Sequence, residues 1–368
     1  MKSIKKYYLL FFIPLIILMI ISFFNMQNAK VISPIYNMHL TKQVIWFVLG
    51  FFLLFLTYKL NLNKILQYSF LLYLFSLILL VLVLFIGKEI NGARAWFSIG
   101  AFSFQPSELM KLSLSLFLSD VISKHKISCK KDEFKLIFKV LLIVLIPSIL
   151  VFLEPDTGAI IFFLLIAIML LLFSKISKWW FLLLLTIVTL FVISFYLLFN
   201  YNRDLLINII GTSFFYRVER LLSFTTNSSY QLENALIVMG SSSFLGSGLN
   251  NISLYIPEAP TDFIFAFNIG NFGFLSGSIV LISYLLLDYF FIFLITKVKN
   301  KKIKLFIISF ISIFVFQQVI NISMNLGILP IIGIPLPFLS YGGSTIIIYF
   351  LYIGLIFNFL KQEDSFFF

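Results

Sequence analysis

Apolar runs long enough to cross a bilayer recur along the whole chain, at 7–24, 43–60, 66–86, 105–123, 135–153, 157–174, 179–199, 263–296, 303–326 and 339–360. A hydrocarbon core of about 30 Å is spanned by roughly 20 residues of helix. The runs are unbroken, whereas a barrel strand alternates apolar and polar positions. A helix also satisfies its own backbone in lipid. The pattern predicts an all-α, polytopic integral membrane protein with ten transmembrane helices in a single domain, 1–368. The run at 263–296 is too long for one straight crossing. Gly270, Gly273 and Gly277 predict that its first part tilts, breaks or lies at the interface. A large loop, about 200–261, separates helices 7 and 8. Its interspersed apolar residues, among them Leu221, Leu222 and Phe224, predict folded amphipathic pieces at the membrane surface.

Charge orients these spans. Of 23 lysines, 19 fall at the N-terminus, around Lys59 and Lys64, at Lys124 to Lys139, at Lys175 and Lys178, at Lys297 to Lys304, and at Lys361. Short cytoplasmic loops carry the lysine excess, so both termini are expected in the cytoplasm and the large loop outside. Lys2, Lys5 and Lys6 before an apolar run resemble a signal peptide. The run from Tyr7 to Phe24 is long and has no small-residue cleavage site, and reads as a retained first span. Composition agrees: 61% hydrophobic residues, 11% charged and a mean hydropathy of +1.07 are far from soluble usage. The net charge of +12 is then a topogenic signal and an attraction to anionic lipid, and no nucleic-acid motif accompanies it. Cys129 alone excludes a disulfide framework, and His39 and His125 are too few for a zinc cluster.

Against this background several polar residues stand out. All four arginines, Arg94, Arg203, Arg217 and Arg220, map to predicted outer loops. Their planar forks suit phosphate or carboxylate, and they equally suit lipid headgroups or neighbours such as Asp204 and Glu219. Glu108 and Lys111 lie three residues apart on one face of the fourth span, as a structural ion pair or as contacts in an internal cavity. Glu154 and Asp156 open the sixth span, as helix caps or as oxygen ligands for a divalent cation. Residues 321–344, with Pro330, Gly333, Pro335 and Pro337, break the chain between the last two spans, and such breaks line cavities. Asp262, placed directly before Phe263, either begins a helix or is an acid that the protein uses, since charge at membrane depth is costly.

In order, NGARAW, FSFQPSELMK, EPDTGA, YRVER with Tyr230-Gln231 downstream, GSGL, IPEAPTDFIFA, GIPLPF and SYGGS run from Asn91 to Ser344. Together they resemble the RodA/FtsW/SpoVE family, and the run Gly333 to Ser344 is most similar to its RodA members. The resemblance implies a multi-pass protein of the bacterial cytoplasmic membrane. It would polymerise lipid II into glycan strands at the outer face, serving elongation and rod shape beside a class B penicillin-binding protein and other elongation-complex membrane proteins. It implies Asp262 as the catalytic carboxylate and the Glu108–Lys111 pair as a structural or regulatory contact. It offers Arg94, Arg217, Arg220 and Gln231 for substrate binding, and a divalent cation such as Mg or Mn as cofactor, with its ligands unknown. Three positions depart from the family pattern: Ala95 replaces a second arginine, Ser241 to Ser243 follow Gly240, and Gly270-Asn271 replace two glutamates.

In such a polymerisation the 4-hydroxyl of one lipid-linked disaccharide attacks the anomeric carbon of another and expels undecaprenyl pyrophosphate with inversion. A carboxylate takes the hydroxyl proton, and cations neutralise the leaving group. The rival readings are a lipid II flippase, since internal charges and broken spans also suit transport, and a non-catalytic scaffold of the cell-wall synthesis complex in division or sporulation.

Overall fold

A computed structural model describes residues 2–60, 67–90, 92–100, 102–201, 207, 230–249 and 254–365. Its helices are α1 (Lys2–Ile32), α2 (His39–Lys59), α3 (Ser69–Ile86), α4 (Pro106–Lys124), α5 (Lys130–Leu153), α6 (Thr157–Leu172), α7 (Lys178–Tyr201), α8 (Tyr230–Ser241), α9 (Ile264–Lys297), α10 (Lys301–Asn325) and α11 (Gly343–Ser365). Eight of them, all but α4, α6 and α8, are long and apolar enough to cross a membrane.

The two predicted spans outside that set differ for physical reasons. Helix α6 has 16 residues, shorter than a straight crossing needs. Helix α4 is polar because it faces protein. Glu108, Lys111, Ser113, Ser115, Ser119 and Asp120 are all buried on it, and it packs against α3, α5, α6, α10 and α11. Helix α10 is its chief polar companion, burying Gln317, Gln318, Asn321 and Asn325.

The all-α expectation needs one correction. Segment 88–104 folds as a three-stranded antiparallel sheet, β1 (Lys88–Ile90), β2 (Ala93–Ile99) and β3 (Phe102–Phe104). The register sets Ile90 opposite Ala93 and Ile99 opposite Phe102. Two-residue connections of this kind need positive φ, and Asn-Gly is their commonest sequence. Gly92 supplies it at φ 78°.

Helix α9 breaks as its glycines predict. Gly273 has φ 73° and ψ −175°, which interrupts the ladder of hydrogen bonds. The segment after α8 repairs the break. Ser247 and Gly248 N–H groups donate to the carbonyls of Gly270 (3.0 Å) and Asn271 (2.8 Å). The N–H groups of Phe274 and Leu275 donate to Ser243 and Phe244 carbonyls, each at 3.2 Å. Four backbone groups at the break thus find partners in the segment after α8, as a broken helix in a membrane requires. A Cβ on Gly273 would stand 2.2 Å from the Phe244 carbonyl oxygen, so no larger residue fits. The short half of α9, ahead of the break, is therefore held separately from the long span and carries Asp262 at its start.

Candidate active site

A cavity of about 460 Å³ opens where the ends of α2, α4, α6 and α11 meet the segments leading into α9 and out of α10. These ends lie opposite the lysine-rich connections. The cavity wall gathers four charged residues singled out from sequence, Glu108, Lys111, Asp156 and Asp262, and adds Lys42 and Glu258.

The chain around Asp262 is clamped at its backbone. The Glu258 carbonyl accepts from the N–H groups of Thr261 (3.2 Å), Asp262 (3.1 Å) and Phe263 (3.2 Å), winding 258–263 into a tight turn. The Ser340 hydroxyl donates to the Thr261 carbonyl at 2.6 Å, and the Tyr341 N–H donates to the Pro260 carbonyl at 2.7 Å. From α10, one turn apart, the side-chain amides of Asn321 and Asn325 both donate to the Asp262 carbonyl at 2.9 Å. Asn325 Oδ1 accepts from the Ala266 N–H at 3.0 Å, capping α9.

The carboxylate itself is left free. Among the described residues no hydrogen bond or ion pair reaches it. Its position is fixed beside Gly333, where a Cβ would stand 3.4 Å from Asp262 Oδ2. Burial, and secondly the nearby Glu258 carboxylate, push Asp262 up to about 7, because both disfavour the charged form. Glu258 is oriented by Thr261, whose hydroxyl donates to Glu258 Oε2 at 2.8 Å.

Lys111, Glu108 and Asp156, also in the lining, are paired. Lys111 Nζ donates to Glu108 Oε1 at 2.7 Å, with side chains only 3% and 10% exposed, and it lies 4.6 Å from the centre of the Phe162 ring. Asp156 is both cap and cavity wall. Its Oδ1 accepts from the Ala159 N–H at 3.3 Å, and its Oδ2 accepts from Gln105 Nε2 at 2.7 Å and from the Ser107 hydroxyl at 3.2 Å. Glu154 is fully buried, and among the described residues neither of its oxygens has a hydrogen-bond partner. Burial, and secondly Asp156, push it up to about 8.

The predicted substrate-binding residues lie elsewhere. Arg94 is exposed on β2, and Gln231 is half-buried on α8; neither lines the cavity. Arg217 and Arg220, like Arg203, fall outside the described residues. The cations that do line it are Lys42 and Lys111, and Lys42, half-buried on α2, has no ion pair among the described residues. A signal for it exists in the sequence. Only Lys30, Lys42, Lys88 and Lys111 depart from the lysine-rich side, and two of these four face the cavity.

No group of three His, Cys, Asp or Glu able to hold a metal ion occurs among the described residues. Glu258 and Asp156 both line the cavity and are oxygen donors of the type that a divalent cation takes one or two at a time, completing its shell with substrate phosphates.

Residues 3–365 match the sequence pattern of the FtsW/RodA/SpoVE family, described as a cell cycle protein. A probable peptidoglycan glycosyltransferase FtsW of Wigglesworthia glossinidia brevipalpis is 32% identical over 86% of this chain and 82% of its own length. The peptidoglycan glycosyltransferase MrdB of Helicobacter pylori is 28% identical over 96% of this chain and 89% of its own. Among solved structures, the rod shape determining protein RodA of Thermus thermophilus superposes with a TM-score of 0.68 at 26% identity, covering 95% of this chain and 96% of that one. A chain from a peptidoglycan synthase complex that coordinates polymerization and crosslinking superposes with a TM-score of 0.77 at 26% identity, over 95% and 97% of the two chains.

Proposed function

The chain belongs to the FtsW/RodA/SpoVE family, and from that footing we propose that it is a peptidoglycan glycosyltransferase which polymerises lipid II at the outer face of the cytoplasmic membrane. One observation carries the reading: a single cavity brings the unpaired Asp262 carboxylate together with Lys42 and Lys111. Glycan polymerisation needs both a proton acceptor and cations for a pyrophosphate.

Asp262 accepts the proton as the 4-hydroxyl oxygen bonds to the anomeric carbon of the second disaccharide. The bond from that carbon to the pyrophosphate oxygen breaks, and its electron pair leaves with undecaprenyl pyrophosphate. A carboxyl pushed up to about 7 is matched to this exchange near neutral pH. Lys42 and Lys111 neutralise the leaving group in a partly enclosed site, where fixed charge acts strongly. Glu108 holds Lys111 in place. Arg94, Arg217, Arg220 and Gln231 contribute from the outer loop and sheet to the sugars and phosphates before they enter the cavity. Glu258 and Asp156 would hold a divalent cation against the pyrophosphate oxygens, where it would add to charge neutralisation. Ten spans with both termini inside follow from the lysine pattern, with α4 and α6 crossing as protein-lined helices.

The similarity to a chain of a peptidoglycan synthase complex supports a class B penicillin-binding protein as partner. The nearly full-length match to MrdB and the structural match to RodA support a role in elongation and rod shape. The 32% identity to an FtsW supports division as the second assignment.

Purified protein, with and without a class B penicillin-binding protein, is given labelled lipid II and the products are separated on a gel. The wild type is expected to make glycan ladders, and Asp262→Asn to make them at least ~10²-fold more slowly. Equal polymer from the variant overturns the role of Asp262. Lipid II crossing liposome membranes without any polymer establishes transport instead.

A further inference from the structure

At the lysine-rich end of the bundle, the mouths of α3, α4 and α10 enclose an open pocket of about 550 Å³ lined by Gln67, Asp120, Ser123, Lys124, Lys301 and Lys302. Asp120 Oδ2 accepts from Lys124 Nζ at 2.7 Å, and Asp120 Oδ1 from Lys302 of α10. Lys301 Nζ points back to the Ile122 carbonyl at 3.4 Å. Among the described residues, three ammonium groups surround one carboxylate and leave two positive charges in excess. Two helix N-termini reinforce them: α10, capped by Asn300, and α3, whose N-cap residue Tyr68 makes no side-chain capping bond. The positive end of a helix dipole favours an anion.

An apolar stripe runs along α3 from the pocket residue Gln67. Gln67 heads the face of α3 formed by Leu71, Leu74, Phe75 and Ile78, spaced three and four residues apart. All four side chains are exposed, between 41% and 53%. A cationic pocket at headgroup level with an uncovered hydrocarbon track directly below has the two chemistries of a phospholipid with a net negative headgroup. Basic pockets between spans on the cytoplasmic side are where such headgroups bind.

We propose that this pocket is a binding site for one acidic glycerophospholipid, its phosphate held by Lys124 and Lys301 and its acyl chain lying along Leu71, Leu74 and Ile78 of α3. Lys302 and Asp120 form the floor that ties α4 to α10. These are the two helices whose far ends carry Glu108 and Lys111, and Asn321 and Asn325. The site is independent of the reaction assigned to the cavity.

The test uses the full chain in detergent, with thermal unfolding followed during titration with dioleoyl phosphatidylglycerol, dioleoyl phosphatidylcholine or inorganic phosphate. Phosphatidylglycerol is expected to raise the midpoint saturably, with the other two far weaker. The Lys124→Gln/Lys301→Gln double variant should need on the order of tenfold more phosphatidylglycerol for half the shift. Gln67→Glu, which puts an anion in the mouth and leaves the Asp120 tie intact, should do the same. Lys175→Gln/Lys178→Gln, on the same face and outside the pocket, should titrate like wild type. An equal loss in that control pair, an unchanged titration in the pocket variants, or equal protection by inorganic phosphate overturns the proposal.

Discussion

Asp120 accepts from two lysines, Lys124 at 2.7 Å and Lys302 from the neighbouring helix, whereas the Asp262 carboxylate receives no cation and no donor among the described residues. Both are aspartates near the end of a helix at a membrane face. At Asp120 every lone pair that matters is used, and the charge fastens α4 to α10. At Asp262 the protein fixes the backbone with Ser340, Asn321 and Asn325 and leaves the acid unused. A partnered carboxylate is a tie, and an immobilised, unpartnered one beside a cavity is what the proposed proton acceptor requires.

The contrast breaks most sharply in stability. Asp120→Ala removes the shared anion and leaves Lys302 half-buried beside Lys124, at an expected cost on the order of 3 kcal/mol, read as a clear fall in the detergent melting midpoint. Asp262→Asn should melt at or above the wild-type temperature at pH 7.5. The sign follows from linkage. A carboxyl pushed up to about 7 in the folded state costs stability once the unfolded carboxyl ionises. That cost grows from about pH 4 up to pH 7, and the amide removes it. Equal losses in the two variants would erase the distinction. Lys42→Met should lower kcat/KM for lipid II polymerisation by about 10²-fold with the fold intact. A loss below threefold would take Lys42 out of the charge-neutralising set. Asn325→Ala, which removes one donor to the Asp262 carbonyl and the cap on Ala266, should cost about tenfold in kcat with KM little changed. A purely structural asparagine would lower the melting midpoint and spare kcat per folded molecule.

Much of this was legible in the sequence because membrane spans announce themselves by unbroken apolar length. The break at Gly273 was legible too, since a 34-residue apolar helix with three glycines cannot run straight through a bilayer. The sheet at 88–104 was not, because its strands are short. Only Asn91-Gly92 marks it, and that signal was available. Lys42 escaped because one lysine at a helix start looks topogenic until the other lysines are seen to gather on the opposite side. The absence of the family's two glutamates was visible, but its meaning was not. In the structure Gly270 lies against α8, where a Cβ would stand 2.2 Å from Val238 Cγ1, so a glutamate there requires Val238 to move. Asn271 donates to Asn25 Oδ1 at 3.1 Å, and Asn25 donates to Asn268 Oδ1 at 2.9 Å. A neutral amide network between α1 and α9 stands where the family resemblance implies acids. Asp262 was singled out in the sequence as a costly acid at a membrane edge, but its isolation from any cation among the described residues depends on contacts between segments more than 50 residues apart and could not be read from spacing.

The central claim, that Asp262 is the proton acceptor and that its poise comes from burial and from Glu258, is tested most directly by the pH dependence of kcat/KM for lipid II polymerisation in wild type and Glu258→Gln. The rate should rise through an ionisation near pH 7 and level off above it, since the base works deprotonated. In Glu258→Gln, which removes the neighbouring negative charge while keeping an acceptor for Thr261, the same rise should occur at lower pH. A rate that is flat from pH 5 to 9, or an acid limb that Glu258→Gln leaves in place, would contradict it.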